Sequence, residues 1–313
     1  MKLLFFCGMF SLHFLISSTA SAQEMMGDFL NPQPPSWLLR ITGESAEPFS
    51  QQKAFVAAPV NTNATDPAQV FWKWSQLNLE PDQRLNNGQK LPQHLYSSEY
   101  GVGYKHVADE SLFWGISASL GSTGDEVFSS RAKTVVSGTY FYSQSKDPTS
   151  RWLWLLNYSN NRTFANEIPI PGVAYIYRPS ADFTGVFGFP FAFIRMKLNE
   201  DWTGQFFLGP FVYKAEFIRT LSGPLRFFAL ADHSLQSFYR VDRPRDEDRV
   251  FYGESRALIG FRSPLQRYLM AEVFAGAAYS RTALEEEDYW RHSQDAVSLE
   301  NHWLVGGQLS LRY

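Results

Sequence analysis

The chain has 313 residues, 28 basic against 31 acidic, and a single cysteine. A net charge of −3 gives no basic footprint, which argues against nucleic acid as a partner. Apolar residues make up 44% and aromatics 16%, a composition that excludes an intrinsically disordered chain.

Residues 1–22 read as a secretory signal peptide. Lys2 supplies the positive start, Leu3 to Ile16 form the apolar stretch, and Ala20-Ser21-Ala22 is the small-residue cleavage site. That stretch falls short of the roughly 20 apolar residues a spanning helix needs. Cleavage after Ala22 removes Cys7, so disulfides, thiolate metal sites and cysteine nucleophiles are excluded from the mature chain. An exported chain without cysteine fits a bacterial envelope protein.

Residues 23–68 are expected to form a Pro-rich, irregular periplasmic arm. Asn31-Pro32-Gln33-Pro34-Pro35 is followed by Gly43, Pro48 and Pro59, then by Asn61 to Pro67. Proline at this density breaks helices and central strands. One short strand at Trp37–Ile41 is the exception.

From residue 69 to 313 the chain alternates with period two. Leu112, Trp114, Ile116, Ala118 and Leu120 share one parity, against Gly115, Ser117, Ser119 and Gly121. Such alternation means one dry face and one wet or small-residue face. Twelve strands are expected, near 69–79, 95–107, 111–121, 132–145, 151–160, 169–178, 183–197, 201–219, 224–239, 249–262, 267–282 and 298–313. Most are longer than the roughly 5–6 residues usual in globular sheets and suit a tilted membrane crossing. Only Thr282–Trp290 carries a trace of helical periodicity.

The connections alternate between short turns, such as Ala108-Asp109-Glu110 and Asn199-Glu200, and long charged loops at Pro81 to Gln93, Asp242 to Asp248 and Glu285 to Asp295. A barrel inserted from one side of a membrane shows this pattern. Trp72, Trp74, Trp152, Trp154, Tyr175, Tyr177, Trp202, Tyr268 and Tyr279 lie toward strand ends, where amphipathic rings meet the headgroup zone. In hydrocarbon every backbone polar group needs an internal partner, so strands span only as a closed barrel. A soluble β-sandwich, with the aromatics as its core, is the competing architecture.

The last strand sharpens the reading. Trp303, Val305, Leu309, Leu311 and Tyr313 form one apolar face, opposed by His302, Gln308, Ser310 and Arg312. This looks like the C-terminal signal that the barrel-assembly machinery recognises in outer-membrane barrels, with Tyr313 in place of the commoner Phe.

Further motifs carry a family resemblance. Arg151-Trp152-Leu153 leads to Asn157-Tyr158-Ser159-Asn160-Asn161-Arg162; then come Ile168-Pro169-Ile170-Pro171-Gly172-Val173-Ala174-Tyr175, Phe187-Gly188-Phe189-Pro190-Phe191-Ala192 and Gly253 to Pro264. With these, residues 70–313 resemble a family of uncharacterised bacterial outer-membrane β-barrels. The resemblance implies an outer-membrane barrel and no catalytic residues. Read physically, Pro169 and Pro171 restrict pairing at a strand start, while Pro190 and Pro210 suggest bulges or bends.

Asp232-His233-Ser234 and Asn301-His302 could supply a hydrolase with base and acceptor. Adjacent strand residues point to opposite faces, however, so Asp232 and His233 cannot serve one site without a bulge. No Gly-x-Ser-x-Gly, His-Glu-x-x-His or P-loop occurs. The stronger candidates are strand charges opposite apolar neighbours: Arg195, Lys197, Lys214, Glu216, Glu254, Arg256, Glu272 and Arg312. A lipid-facing Arg or Lys at the midplane costs about 2–4 kcal/mol, so these are expected to line the lumen. There they set ion preference in a pore or pair with one another in a plug. The acidic runs Asp246-Glu247-Asp248 and Glu285-Glu286-Glu287-Asp288 lack metal-ligand spacing and read as solvated extracellular loops.

The expectation is therefore an all-β protein, a closed antiparallel transmembrane β-barrel of about 12 strands (range 10–14) in meander order. It is monomeric, sits in the bacterial outer membrane among lipid and lipopolysaccharide, and uses no cofactor, metal or catalytic residue. Passive transport of a small solute is the first functional reading. A non-conducting structural or surface-binding barrel is the alternative, and a lipid-acting hydrolase the third.

Overall fold

Alternation becomes register in the computed structural model, which describes residues 37–46, 49–63 and 65–313. The leader (1–22) and the first part of the arm (23–36) lie outside the described residues. The strands are β1 (Leu38–Ala46), β2 (Phe49–Asn61), β3 (Ala68–Asn78), β4 (His94–Val107), β5 (Leu112–Gly124) and β6 (Thr134–Asp147). They continue with β7 (Ser150–Ser159), β8 (Ile170–Ser180), β9 (Phe183–Phe189), β10 (Ala192–Lys197), β11 (Trp202–Gly209) and β12 (Val212–Thr220). The last are β13 (Arg226–Phe238), β14 (Arg249–Gln266), β15 (Leu269–Glu286), β16 (Val297–Ser298) and β17 (His302–Arg312). From β1 to β16 each pairs antiparallel with the next, β15 also pairs β17, and β17 pairs β1. The sheet is a closed meander barrel. Its wall has sixteen strands, since the two-residue β16 only caps β15 in the last loop.

Sixteen replaces about twelve for two reasons. Residues 38–61, read from sequence as arm, form β1 and β2 of the wall. Pro59 does not break β2, because it sits at a bulge near the end of that strand. The stretches 183–197 and 201–219 each fold back on themselves, and Pro190 and Pro210 stand in the turns β9–β10 and β11–β12 rather than at bends within single strands. The region Thr282–Trp290 is the end of β15 plus the start of a four-residue helix, α1 (Tyr289–His292).

The two ends differ. One end carries Trp37, Tyr313 and the short turns, such as 148–149, 181–182 and 267–268; here it is termed the turn end. The other carries the long excursions 79–93, 125–133, 160–169, 239–248 and 287–301, and is the loop end. Outward positions are apolar and exposed: Val102, Ile116, Leu120, Leu156, Ile259 and Val273 among them. Rings gather at the turn-end border, where Trp152 packs at a tilt against Tyr175 (centroids 5.1 Å), Tyr142 likewise against Trp154 (5.5 Å), and Tyr268 meets Tyr313 edge-on (5.3 Å). At the loop-end border the outward side chains turn polar, and Asn78 bonds Ser50, Gln76 and His94. An apolar band between an aromatic and a polar border is what acyl chains between two headgroup layers select. The strands form one closed sheet rather than the two stacked sheets of a soluble sandwich, although apolar clusters, Phe113, Phe141, Leu153 and Phe193 among them, fill part of its inside.

Candidate functional site

Residues directly opposite on neighbouring strands face the same side of a sheet. Following that rule round the wall, Arg195, Lys197, Lys214, Glu216, Glu254, Arg256, Glu272 and Arg312 all stand at inward positions. They do not form one site. Arg256 donates to Asp232 at 2.9 and 2.7 Å and to Glu44 at 2.7 and 2.9 Å. The Tyr252 hydroxyl donates to Glu254 (2.8 Å) and accepts from Arg281 Nε (3.0 Å). Arg281 in turn grips Glu80, on the loop after β3, at 2.5 and 3.2 Å. Burial pushes the Glu80 carboxyl up, but the Arg281 hydrogen bond, the Glu80 backbone N–H and the Arg281 charge together outweigh it and hold the group below its usual range. Closer to the turn end, Arg262 donates to Glu272 (2.6 Å) and Glu216 (3.1 Å), with Lys214 Nζ 3.6 Å from Glu216. Arg195, Lys197 and Arg312 lie beyond these, at the turn end itself.

Glu44, Glu80 and Arg281 complete the inner network, and sequence reasoning missed all three. Glu44 sits in the stretch read as arm, and Glu80 in a loop that folds back over the barrel mouth. That loop brings Leu79, Leu85 and Leu91 against Phe49, Leu77, Leu95, Phe238 and Tyr252 in a buried apolar plug. Asn86 and Asn87 tie its tip to the Glu285 backbone N–H (3.1 Å) and carboxylate (2.5 Å).

The loop end is also pinched. Gly124, the last residue of β5, pairs with Tyr239, just after β13. Those strands are eight apart in a wall of sixteen, so opposite walls meet there. Tyr239 N–H donates to Thr123 O (3.3 Å), Asp125 N–H donates to Tyr239 O (3.2 Å), and Val241 N–H donates to both Asp125 carboxylate oxygens (3.1 Å). Gly124 has φ +149°, and a Cβ there would lie 2.0 Å from Tyr239 O. Loop 160–169 reinforces the joint: Ser237 Oγ donates to Asn161 (2.8 Å), and the Tyr239 hydroxyl to Asn160 O (2.8 Å).

Outside the pinch the loops enclose a cavity of about 1200 Å³. One side is aromatic, where Phe211 meets Phe164 (6.1 Å), Tyr289 (5.5 Å) and Trp290 (5.5 Å). The other carries charge of both signs, including Arg131, Glu167, Arg249 and Glu287. The acidic runs match the solvated loops expected only in part: Asp246, Glu247 and Glu287 are exposed. Glu285 is buried in a two-point pair with Arg240 (2.8 and 3.0 Å), and Asp248 is buried against Arg245 (2.7 Å), which also reaches Glu286 (3.0 Å). Those carboxylates hold the loops together.

The candidate triad is split across the wall. Asp232 faces Arg256 inside, whereas His233 Nδ1 lies 3.0 Å from Ser255 Oγ on the outer face, stacked on Tyr213. Trp303, Val305, Leu309, Leu311 and Tyr313 are exposed on the outer face of β17, at the seam with β1.

No family model and no curated protein matches the chain. Among solved structures it is similar to the toluene transporter TodX of Pseudomonas putida, at 8% identity over 90% of this chain and 89% of that one, TM-score 0.39. LpxR from Salmonella typhimurium follows at 7% identity, 88% and 99% coverage and TM-score 0.33. CdiB from Acinetobacter baumannii follows at 9% identity, 90% and 60% coverage and TM-score 0.38. Likenesses this slight carry nothing about activity, and the barrel rests on its own strand pairing.

Proposed function

We propose that this chain is an integral barrel of the bacterial outer membrane, with its short turns in the periplasm, and that it acts as a non-conducting, surface-binding protein. The observation that carries the reading is the Gly124–Tyr239 joint between opposite walls at the loop end. The apolar loop after β3 and the paired interior charges point the same way, because they leave the loop half of the lumen filled. The surface for binding is the loop-end cavity, whose aromatic wall and mixed charges suit an amphipathic solute. Lipid and lipopolysaccharide surround the barrel, the assembly machinery takes up β17, and the chain works as a monomer. No hydrolysis is part of the proposal.

Passive transport stays as the second reading for one reason. Barrels of 16–18 strands have room for an aqueous channel, so parting the pinch would uncover a path. Planar-bilayer recording of folded, heat-modifiable protein separates the two. A silent membrane is the expected result, and reproducible current steps from the wild-type protein would overturn the closed-barrel reading.

A further inference from the structure

Two neighbouring hairpins end differently from the rest of the loop end. Their tips, residues 186–194 from β9 to β10 and 206–212 from β11 to β12, carry no charged or hydrogen-bonding side chain. Phe187, Phe189 and Leu208 are exposed there. Across the barrel the same border is polar, as at Asn78, Ser50 and His94. Tips as apolar as these are favoured among acyl chains and costly in water.

The wall is also low at this point. The pairing of β12 with β13 ends at Tyr213 and His233, and residues 234–238 of β13 pair only with β14. At about 3.4 Å per residue, that stretch adds about 17 Å to the wall along β13. The step leaves a notch above β9–β12. Phe211, from the second tip, packs with Tyr289 against Leu235, Phe251 and Leu284 of the taller strands. Phe189, Pro210 and Phe211 are therefore both the sill of the notch and part of the lining of the loop-end cavity.

That cavity borders on two media. Arg131, Arg291, Glu167 and Glu287 line it and are exposed to water, whereas its sill is level with the apolar band. At about 1200 Å³ it exceeds the roughly 300–1,000 Å³ usual for small-molecule pockets, which leaves room for an acyl chain and a head group together.

We infer that the cavity is loaded from the side: a lipid of the surrounding leaflet passes an acyl chain over the sill at Phe189 and Phe211, while its head group stays among the exposed charges. This rests on the cavity being the binding surface, and adds its ligand class and its entrance. On such a path the chain is never exposed to water, and neither the Gly124–Tyr239 joint nor the loop after β3 has to move.

Trp290 reports on the site, since it is exposed, lines the cavity and meets Phe211 at 5.5 Å. The full-length protein is folded into phosphatidylcholine vesicles with and without bromine in the middle of the acyl chains, and the emission of W290F is subtracted. Trp290 should lose most of its emission in the brominated vesicles. Phe189→Arg sets a charge on the sill and should restore that emission; Phe189→Gln, gentler on insertion, should restore part of it, and heat-modifiable mobility checks each barrel. Water-soluble bromohexanoate separates this inference from the reading beneath it. Saturable quenching by bromohexanoate without quenching by brominated lipid overturns side entry and leaves a binding surface open only to water. Quenching by neither overturns the binding surface as well. Lipid quenching that is unchanged in both Phe189 variants also overturns the inference, because the chain then reaches Trp290 by another route.

Discussion

Gly124→Val is the substitution that tests the closed mouth most directly. The backbone at Gly124 has φ +149°, where a β-branched residue is strained, and the added Cβ would sit 2.0 Å from Tyr239 O. Real Cβ contacts begin near 3.0 Å, so the two walls must separate by an ångström or so at this point. That separation breaks the hydrogen bonds from Tyr239 N–H to Thr123 O, from Asp125 N–H to Tyr239 O, and from Val241 N–H to the Asp125 carboxylate. At about 1 kcal/mol for each backbone bond and about 2 kcal/mol for the one to a charged acceptor, the joint weakens by about 4 kcal/mol. An open mouth then becomes about a thousandfold more populated. Single-channel recording compares wild type with the variant at equal amounts of heat-modifiable protein. Wild type should be silent and G124V should show discrete openings. A folded G124V barrel as silent as wild type would refute the idea that this joint is what shuts the loop end.

Three other outcomes follow from the same geometry. Arg256→Ala strands the buried Asp232 and Glu44 carboxylates and should cost about 3–5 kcal/mol, read as a lower urea midpoint for the loss of heat-modifiable mobility. Ile259→Arg places a charge on the lipid-facing wall of β14 and should cost about 2–4 kcal/mol in refolding equilibria with vesicles, whereas an unchanged equilibrium would contradict the outward assignment. In the β2–β3 turn, hydrogen bonds from His106 (2.6 Å) and the Tyr104 hydroxyl (2.7 Å) hold the Asp66 carboxyl down to about 2. A depressed carboxyl adds stability that is complete above its unfolded pKa and disappears as pH falls through the folded one. The turn should therefore loosen between about pH 4 and pH 2, and Asp66→Asn should abolish that step in a pH series of amide spectra.

The wall was largely legible from alternation, because a lipid-facing side chain and a lumen-facing one differ in every second residue. β4, β5 and β6 fall within a few residues of their expected positions for that reason. β1 was half seen, in the short strand expected at Trp37–Ile41, where Leu39 and Ile41 outside and Arg40 inside carry the period; the proline-rich surroundings hid its place in the wall, and hid β2 altogether. The hairpins at Pro190 and Pro210 were hidden differently. Phe189, Phe191, Leu208 and Phe211 continue the apolar text straight through both turns, so no polar break marks them. The inward assignment of charges such as Arg195 and Glu272 follows from the cost of placing them in lipid. Their partners did not follow: Arg256 meets Glu44 across 212 positions of sequence, and Gly124 meets Tyr239 across the barrel. Pairings of that kind depend on closure and leave no local trace.

The seam between β1 and β17 has a consequence for how such a wall can change. Trp37 and Tyr313 exchange backbone hydrogen bonds there (3.0 Å each), beside the start of β1 and the end of β17. Without β17, the borders left facing each other would be β15 and β1, which run in the same direction, and no antiparallel joint could form between them. The circumference can therefore grow or shrink only by whole up-and-down pairs. The shortfall in the expected strand count has the same grain, since β1 with β2 makes one such pair and each unseen turn adds one strand, two in all. For this chain the hairpin, not the strand, is the smallest piece that can be gained or lost with the ring still shut.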